Sequence, residues 1–231
     1  MSLRSLLTIM PEPKLVIFDF CGTLISFQTA DRYVDFCVRH LTESKQVRLK
    51  HRIICILEKL KCFKIYNIVR QHNNWHKRMI LWQLKGIPFS RCDDLAHLYF
   101  EQELLPNIVQ PLLKIMQQHI NNNDRVCILS GGYDIYIRLF AQHFGVKEFI
   151  SSKIDFRNGY CTGKMQGEDC MGRNKITCYQ QLKKEASYTV FYSDSPSDLP
   201  LLELVDEPVV VSKDYAREWA AARNFKQIIW T

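Results

Sequence analysis

Asp19 closes the apolar run "LVIF", and after one phenylalanine come Cys21, Gly22 and Thr23. Further along, "VCILSGG" ends in Ser130, Gly131 and Gly132, and Lys175 follows the glycine-bearing stretch "GEDCMGRN". "FYSDSPSD" then carries Asp194 and Asp198. A carboxylate at the end of a buried strand can attack phosphorus and divide one hard displacement into two steps through an aspartyl-phosphate. Carboxylates from two strands, Asp19 and Asp194, can hold Mg²⁺, a hard cation that prefers oxygen ligands. Ser130 and the amides of Gly131 and Gly132 can hydrogen-bond phosphate oxygens at a helix start. Lys175 can offset the crowded anions and the charge that develops during transfer.

Each element has an ordinary reading of its own. Buried strands often end in aspartate, "SGG" is a common turn, and a lone lysine is usually solvated. Asp194 and Asp198 could be helix N-caps. The four stretches occurring in this order on one chain favour phosphoryl transfer.

The elements that must position these residues follow from periodicity. "KLVIFDF", "RVCILS", "YTVFYSD" and "EPVVVS" read as short buried strands, and "FISSKIDFRNGYCTGKMQGE" as a hairpin. Helical stretches lie between them: "GGYDIYIRLFAQHFG", "RNKITCYQQLKKEA", "SDLPLLELV" and the final "DYAREWAAARN". This alternation predicts an α/β fold with a parallel sheet covered on both sides, whose ligands gather at the carboxyl ends of the strands. From residue 27 to 118 the period is helical throughout, in "DRYVDFCVRHL", "RIICILEKLKCFKIYNIV", "WHKRMILWQLKG" and "SRCDDLAHLYFEQELLP", the last opening on a serine cap. Residues 1–26 and 119–231 thus form the core, and residues 27–118 an inserted helical domain.

Composition narrows the class. At 231 residues and 47% apolar the chain can bury a full core. No apolar run nears the roughly 20 residues of a membrane span, and "MSLRSLLTIMPEPK" lacks the pattern of a secretory signal. Nine scattered cysteines without zinc spacing point to reduced thiols in a cytoplasm. The whole net charge of +7 falls between residues 27 and 118, which suits an anionic partner. Nucleic acid is the rival reading, but no RNA-binding signature or helix-turn-helix accompanies the charge. Phe63, Tyr66, Trp75 and Trp82 could contact a sugar or base, or form the insert's own core. Oligomeric state leaves no trace in the sequence.

The motifs resemble the haloacid dehalogenase superfamily, in the branch containing phosphoserine phosphatase. "DFCGT" matches the family's Asp-x-Asp-Gly-Thr except at Cys21, and "ILSGG", Lys175 and "SDSPSD" match the other three motifs. An inserted helical cap directly after the first motif also marks this branch. The resemblance implies a Rossmann-like core and a Mg²⁺-dependent phosphatase of a small anionic phosphorylated substrate. It makes Asp19 the nucleophile and Asp194 a metal ligand, with the backbone carbonyl of residue 21 as another. Asp198 would orient Lys175 or a metal-bound water. The family's second aspartate protonates the leaving group and then activates water. A thiol with an ordinary pKa near 8.5 is a weak substitute, and general acid–base catalysis is typically worth about 10²–10⁴-fold. Three outcomes stay open: a phosphatase that tolerates Cys21, transfer to an acceptor other than water, or a phosphate-binding regulatory module.

Overall fold

The structure, a computed structural model, describes residues 14–60 and 75–231. Strands β1 (Lys14–Phe18), β2 (Arg125–Tyr133), β3 (Glu148–Arg157), β4 (Tyr160–Gln166), β5 (Tyr188–Ser193), β6 (Glu207–Lys213) and β7 (Lys226–Trp230) form one sheet in the order β4-β3-β2-β1-β5-β6-β7. All neighbours in it are parallel except the β3–β4 hairpin. Asn158 and Gly159 close that hairpin with positive φ, as a two-residue turn requires. Successive side chains point to opposite faces. Val16, Phe18, Val126, Ile128, Val190 and Tyr192 enter one core cluster, while Leu15, Ile17, Cys127, Leu129 and Phe191 enter the other. Burial on both faces is why these strands read as continuous apolar runs.

The central segment contributes α1 (Thr29–His40), α2 (Lys45–Lys59), α3 (Trp75–Trp82) and α4 (Phe89–Tyr99). The expected Ser90 cap is not used: α4 starts at Phe89, after Pro88. Phe89 N donates to the Gly159 carbonyl at 2.8 Å, and Cys161 N to the Ile87 carbonyl at 2.8 Å. Hydrogen bonds to the hairpin thus fix the start of the helix in place of a serine. After α4 a π-helical turn (Phe100–Leu104) and a 3₁₀ turn (Leu105–Asn107) lead back to the sheet. The two chain crossings run side by side, with Ser26 N on the Asn107 carbonyl (3.0 Å) and Val109 N on the Leu24 carbonyl (2.9 Å).

Helix α5 (Gln110–Asn121) buries Leu112, Leu113 and Met116 and packs on β2. The boundary expected at 118/119 falls inside this helix, because its period continues that of the preceding helices. Helix α6 (Asp134–Phe144) ends at Gly145 in the left-handed conformation. On the other face lie α7 (Arg173–Leu182), α8 (Leu199–Leu202) and α9 (Glu218–Ala221). The last helix is far shorter than its sequence suggests: Asn224 takes φ 56° and turns the chain into β7, a strand the sequence reading did not anticipate. Tyr33 of α1, Tyr99 of α4, Tyr133 of β2 and Tyr136 of α6 meet with centroids 5.2–6.3 Å apart. The helical insert therefore shares its core with one sheet face. Among the described residues no helix is long and apolar enough to cross a membrane, and the eight described cysteines are free thiols.

Candidate active site

Strand β1 delivers Asp19 at its carboxyl end, where Asp19 N donates to the Tyr192 carbonyl at 2.9 Å. The chain then turns at Gly22, with φ 77°. A Cβ there would lie 2.2 Å from Asp194 Oδ2, so the loops after β1 and β5 meet only because residue 22 lacks a side chain. Buried Thr23 joins the same loops: its hydroxyl accepts from Asp194 N at 3.0 Å and donates to Asp194 Oδ1 at 3.4 Å.

Lys175 is the third residue of α7 and is buried. Its ammonium donates to Asp19 Oδ1 at 2.9 Å and Asp198 Oδ2 at 2.6 Å. Ser193 Oγ adds a bond to Asp198 Oδ2 at 2.7 Å. Burial works to lower the lysine's pKa, but the charges of Asp19 and Asp198 overcome it and hold the group above its ordinary value. Burial pushes Asp19 up to about 6, against the pull of Lys175 and with the push of Asp198. Burial, then repulsion from Asp19 and Asp198, raises Asp194 to about 7.

Cys21 Sγ lies 3.0 Å from Thr29 Oγ1, which lies 2.7 Å from Tyr136 Oη. The same sulfur is 3.7 Å from Ser130 Oγ. Burial and the charge of Asp19 push the thiol up, which favours its neutral form. Ser130 is buried, and its Oγ accepts from Gly132 N at 3.1 Å. Gly131 and Gly132 do not open a helix as the sequence suggested. They lie where the β2–β3 register shifts, within a strand that runs to Tyr133, and α6 begins at Asp134.

A cavity of about 250 Å³ is lined by Asp19, Cys21, Ser130, Gly131, Lys175 and Asp198 from the core. Gln28, Asp31, His76 and Lys77 close it from the helical side. Gly132 is not on its lining, and Asp194 stands off it, against Gly22 and Thr23. The sequence reading named none of Gln28, Asp31, His76 and Lys77. His76 lies 3.3 Å from Asp31 and 3.4 Å from Glu58, and its hydrogen bond to Asp31, with the charges of both acids, holds its pKa above the usual value despite burial. Of the described basic residues of the insert, His76 and Lys77 reach the cavity, each matched by carboxylates, while Lys45, Arg48, Arg52 and Arg78 are exposed. The positive excess therefore does not concentrate on the cavity wall. Trp75 and Trp82 pack on the core and line a separate groove with Gly163 and Met165; Phe63 and Tyr66 lie outside the described residues.

The donor set suits a small hard cation. The charge of Asp19 raises the pKa of Asp194, and Lys175 pairs with Asp19 and Asp198 but not with Asp194. Among the described residues no three His, Cys, Asp or Glu side chains form a ready metal cage. Mg²⁺ does not need one, since it is usually held by one or two carboxylates together with water and substrate phosphate.

Residues 16–203 match the family described as haloacid dehalogenase-like hydrolase. The chain is 30% identical to a histidinol-phosphatase of Neisseria meningitidis serogroup C, over 87% of this chain and 91% of that protein. It is 20% identical to protein CicA of Caulobacter vibrioides, covering 85% of each. Its fold is similar to a Bordetella pertussis Tohama I protein of unknown function (TM-score 0.78, 21% identity, 94% and 98% of the two chains). It is also similar to a substrate-bound phosphoserine phosphatase (TM-score 0.64, 16% identity, 95% and 94%).

Proposed function

The chain belongs to the haloacid dehalogenase-like hydrolases, and on that premise we propose a Mg²⁺-dependent phosphatase that hydrolyses a small phosphomonoester through an aspartyl-phosphate on Asp19. The enzyme class is that of a phosphoric monoester hydrolase. The observation that carries the proposal is Lys175, buried between Asp19 and Asp198 on the wall of a cavity that also holds Ser130.

In the first step an Asp19 carboxylate oxygen bonds to phosphorus, the ester P–O bond breaks, and the departing alkoxide takes a proton from solvent water. Lys175 keeps Asp19 ionised and aimed, and Ser130 hydrogen-bonds the phosphoryl oxygens. Asp19, Asp194 and the carbonyl of residue 21 would hold Mg²⁺, which supplies charge neutralisation when bound. In the second step water attacks phosphorus, the bond to Asp19 breaks and returns its carboxylate, and the water's proton passes to solvent. Cys21 stays a neutral thiol beside Thr29 and takes no proton from that water, so this step limits turnover. A long-lived aspartyl-phosphate also favours a second reading, transfer to an alcohol acceptor.

The inserted helices act as the cap over this cavity, and the paired chain crossings favour a cap of residues 27–109. The carboxylate of Asp31 with His76 and Gln28 on the cap wall suits a polar, amine-bearing alcohol better than one with further negative charge. Histidinol phosphate, after the Neisseria relative, leads the panel to test, with phosphoserine, whose carboxylate adds a negative charge, as the contrast. Phosphate release with Mg²⁺ should occur for the natural protein and vanish in Asp19→Asn. Equal release by both would remove the proposal.

A further inference from the structure

We infer that Lys77 is a positioning residue, which reaches from the cap into the core and sets the geometry of the phosphate-binding segment. The inference rests on the phosphatase reading above. Lys77 sits on α3 yet is 8% exposed. Its ammonium donates to Asp169 Oδ1 at 2.6 Å, to Ser152 Oγ at 3.2 Å and to the Gly131 carbonyl. An ammonium has three donors, and these three acceptors use them all. Lys77 therefore lines the cavity without a proton left to offer a substrate.

What it holds are both walls of the phosphate site. The first is Gly131. In a trans peptide the carbonyl and the following N–H point in opposite directions, so anchoring the Gly131 carbonyl fixes where Gly132 N–H points. That amide faces Ser130 Oγ at 3.1 Å, and Ser130 Oγ in turn lies by Cys21 in the cavity. The second wall is the loop leading to Lys175. Ser152 Oγ donates to Asp169 Oδ1 at 2.5 Å and accepts from Cys170 N at 3.1 Å. The Asp169 carbonyl accepts from Met171 N at 2.8 Å and Asn174 Nδ2 at 3.0 Å. One cap side chain thus ties α3 to the end of β2, to β3 and to the residues that open α7.

The pairing is also conditional on the cap. Asp169 is 2% exposed, and a buried carboxylate deprived of its partner is costly. If α3 lifts, the Gly131 carbonyl and Asp169 lose their common anchor together. Closure of the cap and formation of the anion site then become one event, so the site is complete only around an enclosed substrate.

The test is calorimetric binding of inorganic phosphate to the full chain with Mg²⁺, alongside kcat and KM, for the natural protein, Lys77→Met, Asp169→Asn and Ser152→Ala. Each variant should bind phosphate roughly 10- to 100-fold more weakly while remaining folded by circular dichroism, the scale expected when supporting contacts of a site are lost. Lys77→Met with Asp169→Asn should be no worse than the poorer single variant, because both remove the same pair. Variants that melt earlier but bind phosphate as tightly as the natural protein would overturn the inference, leaving Lys77 a purely structural residue. Should Lys77→Met not fold, Ser152→Ala decides alone, since it removes the shared hydroxyl without unpairing a charge. A natural protein that neither binds nor releases phosphate would instead overturn the phosphatase reading and this inference with it.

Discussion

At position 21 stands a thiol where the resemblance to the family's first motif implies a second acid, and its surroundings favour the neutral form. It is 8% exposed, faces the hydroxyls of Thr29 and Ser130, and is pushed up by burial and Asp19. Installing a carboxylate there should restore the missing base. Cys21→Asp is expected to speed hydrolysis of the aspartyl-phosphate by about 10²-fold, the lower end of what general base catalysis supplies. Single-turnover quench kinetics would read this, and a slower second step would show that the thiol itself assists. The raised carboxylates make a second prediction at this scale. Asp19 at about 6 and Asp194 at about 7 both exceed the ordinary 3.8. Between those limits the folded chain binds more protons than the unfolded one, so metal-free stability falls as pH rises from about 4 through 7. Mg²⁺ binds the ionised carboxylates, so its increase in melting temperature should be larger at pH 8 than at pH 5. An equal increase at both would contradict a site built on these acids.

Among the elements, the strand ends were legible and the cap wall was not. β1, β2 and β5 are buried on both faces, so their apolar runs identify them and the polar residue that follows marks the ligand-bearing end. The helix expected at Gly131 starts at Asp134 because β3 continues to pair with β2 as far as Tyr133, a tertiary contact that local periodicity does not encode. β7 was missed because "KQIIW" is too short to stand out beside the helical "AREWAAARN". Lys77 was invisible for another reason: a lysine on an amphipathic helix reads as solvated, and Asp169 lies 92 residues away. The hairpin and the cap meet at Gly163, with φ 73°, where a Cβ would lie 2.9 Å from Lys85 Cβ and 3.0 Å from Trp82 Cα. Gly163→Ala should therefore displace the end of α3 and lower stability by about 1–2 kcal/mol from the left-handed backbone alone. Thermal melts check this, and an unchanged midpoint would contradict the packing described.

Across the whole molecule, one sheet brings together side chains far apart in the sequence: Asp19 meets Lys175 across 156 positions and Thr23 meets Asp194 across 171. The order of the four motifs made that convergence readable, whereas the cavity wall of Gln28, Asp31 and His76 is assembled only in the folded helical segment. Removal of Mg²⁺ by a chelator should stop phosphate release, and added Mg²⁺ should restore it; activity that persists in the chelator would count against the donor set. The central claim is covalent chemistry on Asp19. Rapid quench of the enzyme with a phosphate-labelled substrate, followed by mapping of the labelled peptide, tests it most directly. The account predicts label on Asp19, accumulating because its hydrolysis is slow, and none in Asp19→Asn. Phosphate released without label on Asp19, and undiminished in Asp19→Asn, would contradict it.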